Sequence, residues 1–182
     1  MPRQAVVNQD VLLETAFDLT REEGIDGLTA RKLAVKAGCS TQPIFRLFAN
    51  MDEVIEITYN NVCAFFEQYY NRQEKTTDVP FVNLGLAYIN FAMKEKHLFK
   101  FMFMSKYRTD RGLYELLNGS SGIVAGEIAK AKAACDDPSG LFMKMWIFIH
   151  GAACMSLTGD YDLTDEDTRE LLIESYQAFV EE

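Results

Sequence analysis

Ser40, Thr41, Gln42 and Arg46 place two hydroxyls, a carboxamide and a guanidinium within seven residues of a 182-residue sequence. Groups of these types can read nucleic acid. A glutamine bonds bidentately to adenine, and an arginine reaches a guanine edge or a phosphate. Thr29, Arg31, Lys32 and Lys36 come shortly before them. A threonine at the positive N-terminus of a helix can meet a phosphate with amide and hydroxyl together, and the three cations are further candidates for the backbone.

Other chemistry is poorly represented. The sequence has two histidines, and Glu95-Lys96-His97 lacks the Glu-x-x-His spacing of carboxylate-bridged metal bundles. No glycine-rich phosphate loop or nucleophile elbow occurs. Asp165, Glu166 and Asp167 suit the negative first turn of a helix. Cys39, Cys63, Cys135 and Cys154 lie far apart with no CxxC pair, which reads as reduced, buried thiols and gives neither a zinc site nor a disulfide framework. No catalytic residue, metal or cofactor is expected, and the chain reads as a non-enzyme.

Charge divides the chain. Residues 1 to 50 carry six Lys/Arg against six acids, while residues 51 to 182 carry twelve against twenty-one and hold the whole net charge of −9. The acidic remainder would repel phosphate, so a nucleic-acid site has to lie in the first segment. The opening MPRQAVVNQD has no apolar run after Arg3, which predicts a cytoplasmic protein. The apolar stretch Leu141 to Leu157 contains Lys144, His150 and Ser156 and is short of the roughly 20 residues of a bilayer span. A buried helix, with no membrane partner, is the expectation.

The elements that must position these groups are helical throughout. Apolar residues recur at 3.6-residue spacing, and capping signals divide the pattern into nine helices without a strand. Asn8 caps the first, which ends before Gly24. Thr29 caps a short second helix that leaves through Gly38, and a third restarts at Ser40 with Pro43 in its first turn. Asn50 and Glu53 form a capping box for the fourth, which runs toward Tyr70. A fifth opens at Asp78 and Pro80, HLFKFMFMS makes a sixth, Arg111 to Ala134 an interrupted seventh, Asp137 and Pro138 open the eighth, and Thr164 caps the ninth.

Residues 28 to 48, LTARKLAVKAGCSTQPIFRLF, thereby have helix-turn-helix arithmetic, with polar residues at the start of the second helix and Ile44, Leu47 or Phe48 to lock it onto its neighbours. Two capped helices of an ordinary bundle would share that pattern. The sequence also resembles the TetR family of bacterial transcriptional regulators. The resemblance is carried by Gly24, Leu28-Thr29, Arg31, Leu33-Ala34, Ala37-Gly38, Cys39-Ser40, Phe45-Arg46-Leu47-Phe48 and Asn50-Met51-Asp52-Glu53-Val54, continuous over residues 8 to 57. It implies a nine-helix, all-α fold, with a DNA-binding domain at residues 1–50 and a ligand-binding and dimerisation domain at residues 51–182. The DNA-binding set is then Thr29, Arg31, Lys32, Ser40, Thr41, Gln42, Phe45 and Arg46. Two departures matter: Phe45 stands where the pattern has a phosphate-bonding Tyr, and Met51 where it has a Lys that meets the backbone.

Residues 59 to 114 hold 13 of the 22 aromatic residues, a concentration that suits an adaptable apolar cavity. Packing of the bundle would account for it equally. Tyr88, Phe91, Phe101, Met104, Tyr107 and Tyr114 are candidates to line such a cavity, with Trp146 and His150, four apart on one helix face, as a border and polar handle. Trp146 to Gly151 also resembles the Trp-x-x-x-His-Gly signature of one class of TetR-type C-terminal domains. The eighth helix is apolar almost all round, with Gly151-Ala152-Ala153 reducing its bulk, so it needs cover on two sides. A twin chain supplies that cover in a two-fold four-helix interface, for which Ile149, Ala153, Leu157, Leu172, Tyr176 and Phe179 are candidates. The resulting expectation is a homodimeric regulator, a repressor by family resemblance. It would bind double-stranded palindromic operator DNA and respond to a small hydrophobic or aromatic effector. A helical ligand-binding or interaction protein with a vestigial DNA-binding segment is the alternative.

Overall fold

The computed structural model of the chain describes residues 7–79, 81–107, 122–131 and 135–180, and these form nine α-helices and no strand. They are α1 (Gln9–Glu23), α2 (Ala30–Lys36), α3 (Gln42–Leu47), α4 (Met51–Arg72), α5 (Val82–Lys94), α6 (Lys96–Met104), α7 (Ile123–Ala131), α8 (Pro138–Thr158) and α9 (Asp165–Val180). A single 3₁₀ turn, Ile25–Gly27, joins α1 to α2.

Most helices begin where a side chain can accept an orphan amide. Val11 N–H donates to Asn8 at 2.9 Å, Lys32 N–H to Thr29 at 3.3 Å, Glu53 N–H to Asn50 at 3.0 Å and Gly140 N–H to Asp137 at 2.9 Å. The expected capping box at α4 closes one residue early, since the Glu53 carboxylate accepts from Ala49 N–H. Thr164 and Asp167 form a reciprocal box at α9, Asp167 N–H donating to the Thr164 hydroxyl and Thr164 N–H to the carboxylate.

Two starts differ from expectation. Helix α3 begins at Gln42, so Ser40 and Thr41 precede it and Pro43 sits at its second position. The reason is the exit from α2: Gly38 adopts φ +67°, Gly38 N–H donates to Val35 and Cys39 N–H to Ala34, and the chain spends Cys39 to Thr41 leaving that turn. Helix α5 begins at Val82, and its leading loop is held by Asn83, which accepts from Thr76 N–H at 3.0 Å and donates to the Thr77 carbonyl at 2.6 Å. Of the long seventh helix, Ile123–Ala131 lies within the described residues, and the bend expected near Gly119 to Gly122 falls mostly outside them.

Packing divides the chain into two compact units, one formed by residues 1–65 and 95–110, the other by residues 66–94 and 111–182. In this partition α6 packs on α1, and residues 51–65, about two thirds of α4, belong with them. In the first unit, Leu12, Ala16, Leu19, Leu33, Ala34, Ile44, Phe48 and Val54 are buried. The Tyr59 hydroxyl donates to the Met102 carbonyl at 3.0 Å, its ring meets Phe101 edge-on, and Arg21 ties α1 to Glu95 beside α6 with a 2.7 Å bond from Nε.

In the second unit, α5 lies against both α8 and α9. The contact is close at Gly85, where an added Cβ would stand 2.9 Å from Ile149 Cδ1 and 3.0 Å from Leu172 Cδ1. Helix α8 is long and apolar enough to cross a bilayer, but one side of it, including Leu141, Met145, Ile149, Ala152 and Ala153, is buried inside this unit. Replacing Gly85 with Val would force two branched methyls into that layer. We expect a loss of about 1–3 kcal/mol of stability from overpacking, read as a lower urea midpoint with an unchanged slope.

Candidate functional site

Helix α3 is six residues long and too short to persist alone in water, so its orientation comes from what it buries. Ile44 and Phe48 face the core, while Ser40, Thr41, Gln42, Phe45 and Arg46 are all exposed. Thr41 and Phe45 form one i,i+4 ridge and Gln42 and Arg46 the next, so four of the predicted DNA-binding residues share one surface. Ser40, Thr41, Gln42 and Arg46 make no side-chain hydrogen bond or ion pair among the described residues, which leaves their donors and acceptors available to a ligand. A carboxamide and a guanidinium on a narrow helix, with a hydroxyl pair just before its start, match the dimensions and bonding code of the major groove.

Helix α2 supplies the second half of the site. The Thr29 hydroxyl accepts from Lys32 N–H as an N-cap and retains its own proton to donate to a phosphate. Arg31 is exposed and has no ion-pair partner among the described residues. Lys32 and Lys36 differ: Lys32 pairs with Glu23 and Lys36 with Glu22, both on α1. The sequence pattern missed these pairs because the acids lie nine and fourteen residues away. The signal lay in the end of α1, where two adjacent carboxylates come one turn before a short basic helix.

Of the eight residues expected to line one effector cavity, seven are divided between the two units and one lies outside the described residues. Phe101, Met104 and Tyr107 belong to the first unit, where they border a cavity of about 500 Å³ together with Gly24, His97 and Lys100. Met104 is exposed, so it does not close an apolar interior. Tyr88, Phe91, Trp146 and His150 belong to the second unit, and Tyr114 lies outside the described residues. The division has a physical cause. Helices α5 and α6 are consecutive and both aromatic, but α6 packs on α1 while α5 packs on α8 and α9.

The second-unit group is tightly built. Phe142, Trp146 and His150 stack along one side of α8, with interplanar angles of 22° and 19° between successive rings. Tyr88 meets Trp146 edge-on at 4.8 Å, and its hydroxyl shares a 2.9 Å hydrogen bond with His150 Nδ1. Cys154 Sγ lies 3.6 Å from His150 Nε2. Both ring nitrogens therefore have neighbours within the chain, and the imidazole is a packed member of the group. Phe66 and Tyr69 of α4 meet Phe91 edge-on at 5.0 and 5.3 Å and extend the aromatic set.

Within the same unit, Glu127 is a buried carboxylate that sequence reasoning did not single out. It accepts from Phe81 N–H at 3.1 Å and from Lys130 at 2.9 Å. Burial, reinforced by the Glu127 charge, pushes the Tyr70 hydroxyl up to about 12. Among the described residues, no group of three or more His, Cys, Asp and Glu side chains is arranged to hold a metal.

Four of the six expected dimer-interface residues point into the chain's own core. Ile149, Ala153, Leu172 and Tyr176 are buried within the single chain, and Ile149 and Leu172 are the two side chains that crowd Gly85. Atoms already removed from water inside one chain offer no area to a second. Leu157 and Phe179 are half-buried, with the Lys144 ammonium 5.8 Å from the Phe179 ring centroid. The outward apolar side of α8 instead carries Met143, Ile147, Gly151 and Met155 at four-residue intervals, and Ile147 is 66% exposed.

Residues 12–56 match the family model for bacterial regulatory proteins of the tetR family, and residues 81–179, more than half the chain, match the tetracyclin repressor-like C-terminal domain. The chain belongs to the TetR family of bacterial regulators. Its first unit accordingly carries the TetR-type DNA-binding domain. A TetR-family protein from Vibrio parahaemolyticus is similar in fold, with a TM-score of 0.67 and 20% identity over 93% of this chain and 97% of that one. A protein of unknown function from Rhodococcus sp. RHA1 gives 0.66 and 21% over 100% and 97%. A TetR-family regulator from Rhodococcus sp. gives 0.62 and 17% over 94% and 97%. At these identities the likeness concerns the fold alone. No curated protein matches the chain.

For a TetR-type DNA-binding domain, the paired lysines of α2 have a measurable consequence. Replacing Glu22 and Glu23 together with Gln releases Lys36 and Lys32. Binding to selected and random duplexes should strengthen by similar factors, and the slope of log affinity against log salt should steepen by about 0.9 for each lysine that gains a phosphate. Fluorescence anisotropy across a salt series reads both quantities. An unchanged slope would show that the two lysines lie off the DNA backbone.

Proposed function

We propose that the protein is a homodimeric, sequence-specific repressor that binds palindromic operator DNA and is released by a small hydrophobic or aromatic effector. The observation that carries the DNA reading is the outer face of α3, where unpaired polar groups surround a short helix whose opposite side is fixed in the core. Residues 1–50 hold the contacts to DNA, with Gln42 and Arg46 on base edges and Thr29 and Arg31 on phosphates. The protein catalyses no reaction and works in the cytoplasm.

Dimerisation is supported by the outward stripe of α8. Met143 and Ile147 are 50% and 66% exposed and Met155 is 47% exposed, with Gly151 between them leaving room for a close helix crossing. A contiguous apolar stripe of this kind is costly in water, and a second copy related by a two-fold axis covers it on both chains at once. Two-fold symmetry then sets two recognition helices one DNA turn apart, about 34–36 Å.

Effector binding is assigned to the second unit, where Tyr88, Phe91, Trp146 and His150 stand with Phe66 and Phe142 in an aromatic set with few hydroxyl and imidazole handles. Helix α4 is one uninterrupted helix of 22 residues whose two ends belong to different units, so it is the mechanical link available. A ligand shifts the equilibrium only by its differential affinity for the two conformations.

The deciding experiment is selection of bound duplexes from a random pool. A palindromic consensus is expected, and salt-dependent binding without any consensus would leave a helical ligand-binding protein with a vestigial DNA segment. For the dimer, Ile147→Glu should give a monomer in sedimentation and weaken operator binding more than tenfold. Its effect on stability should stay within about 0.5 kcal/mol, because the site is exposed in the single chain. A dimer that survives this change would place the interface elsewhere.

A further inference from the structure

Phe45 is 53% exposed on a helix whose other outward residues are polar. A large aromatic ring left in water on a short element is unfavourable, and the ring has no stacking partner among the described residues. Its position is fixed by the inward side of α3: Ile44 and Phe48 are fully covered, which turns Thr41, Gln42, Phe45 and Arg46 outward together. The exposed ring therefore sits inside the proposed base-reading surface, flanked by a carboxamide on one ridge and a guanidinium on the same ridge.

We propose that Phe45 is a specificity-determining residue whose ring packs on the 5-methyl group of a thymine in each operator half-site. The inference rests on the reading of α3 as the recognition helix. A phenyl ring has no hydrogen-bonding group, so neither phosphate oxygens nor the donor and acceptor edges of bases reward its approach. The thymine methyl is the apolar feature of the major groove. Burial of both against each other removes apolar surface from water on the protein and on the DNA. The neighbours agree with this placement, since Gln42 can bond an adenine and an A·T pair presents the adenine and the thymine methyl side by side in the groove.

The test uses the intact chain and a duplex selected from a random pool. Each thymine is replaced in turn by deoxyuridine, which deletes the methyl and leaves pairing unchanged. One position per half-site should respond, with wild-type affinity falling by about fourfold for each half-site, the equivalent of roughly 0.8 kcal/mol for one methyl-sized group. Phe45→Ala should bind the thymine and uracil duplexes equally, and Phe45→Leu, which keeps an apolar group, should retain part of the discrimination. Reduced salt keeps the weaker variants measurable through their backbone contacts.

Three results would overturn the inference. No thymine position responds in the wild type; or Phe45→Ala loses the same factor as wild type on the uracil duplex; or Phe45→Ala loses equal affinity on selected and random DNA, which is the mark of a backbone contact. Failure to select any consensus is a separate outcome, which removes the recognition-helix reading and this inference with it.

Discussion

The burial of Ile44 and Phe48 is the constraint on which the DNA-facing half of the molecule depends. A helix of six residues gains too little from its own hydrogen bonds to hold a direction. Once those two side chains are out of water with Leu33, Ala34 and the inner side of α1, every other position on α3 has its direction set by helical geometry. Thr41, Gln42, Phe45 and Arg46 become a surface as a result of what Ile44 and Phe48 do. The Gly38 turn completes the arrangement, because its left-handed backbone ends α2 in three residues and lets α3 begin at a new angle.

Electrostatics then modulate that surface. The first fifty residues are neutral overall, and the balance is local: Lys32 and Lys36 are matched by Glu23 and Glu22, while Arg31 and Arg46 have no such partner among the described residues. Exposed pairs of this kind add about 0–1 kcal/mol to stability. On the proposed reading their larger effect falls on binding, because a phosphate would compete with a carboxylate for each lysine. Met51 and Phe45, which offer no charge or hydroxyl, would act in the same direction and leave more of the affinity to base contacts.

The second unit is organised by a different force. Helix α8 buries Leu141, Met145, Ile149 and Ala153 on one side against α5 and α9, and its aromatic side stacks Phe142, Trp146 and His150 around Tyr88. Gly85 sets how closely α5 can approach, since no space remains for a side chain there. The outward apolar stripe is what remains after these demands are met, and its continuity is what supports the proposed homodimer.

Local signals determined the all-helical character of the described residues and the DNA-binding segment. Capping residues act within three or four positions and apolar periodicity within one helix, so Asn8, Thr29, Asn50, Asp137 and Thr164 mark their helix starts from sequence alone. The outward facing of Gln42 and Arg46 was legible for the same reason, because facing on a short helix follows from its own apolar pair. The orientation of α8 was not. A helix apolar on all sides has no preferred direction in its own sequence, so Ile149 and Ala153 looked as suitable for an interface as Ile147 and Gly151. The partition of the aromatics was hidden too, since composition counts Phe91 and Phe101 alike although Phe91 meets Phe66 and Tyr69 in the second unit and Phe101 meets Tyr59 in the first. Ion pairs between α1 and α2 join residues whose proximity exists only after folding. In each case the missing information is long-range: which surfaces of equal hydrophobicity or charge meet is a property of packed helices, and tertiary structure alone decides it.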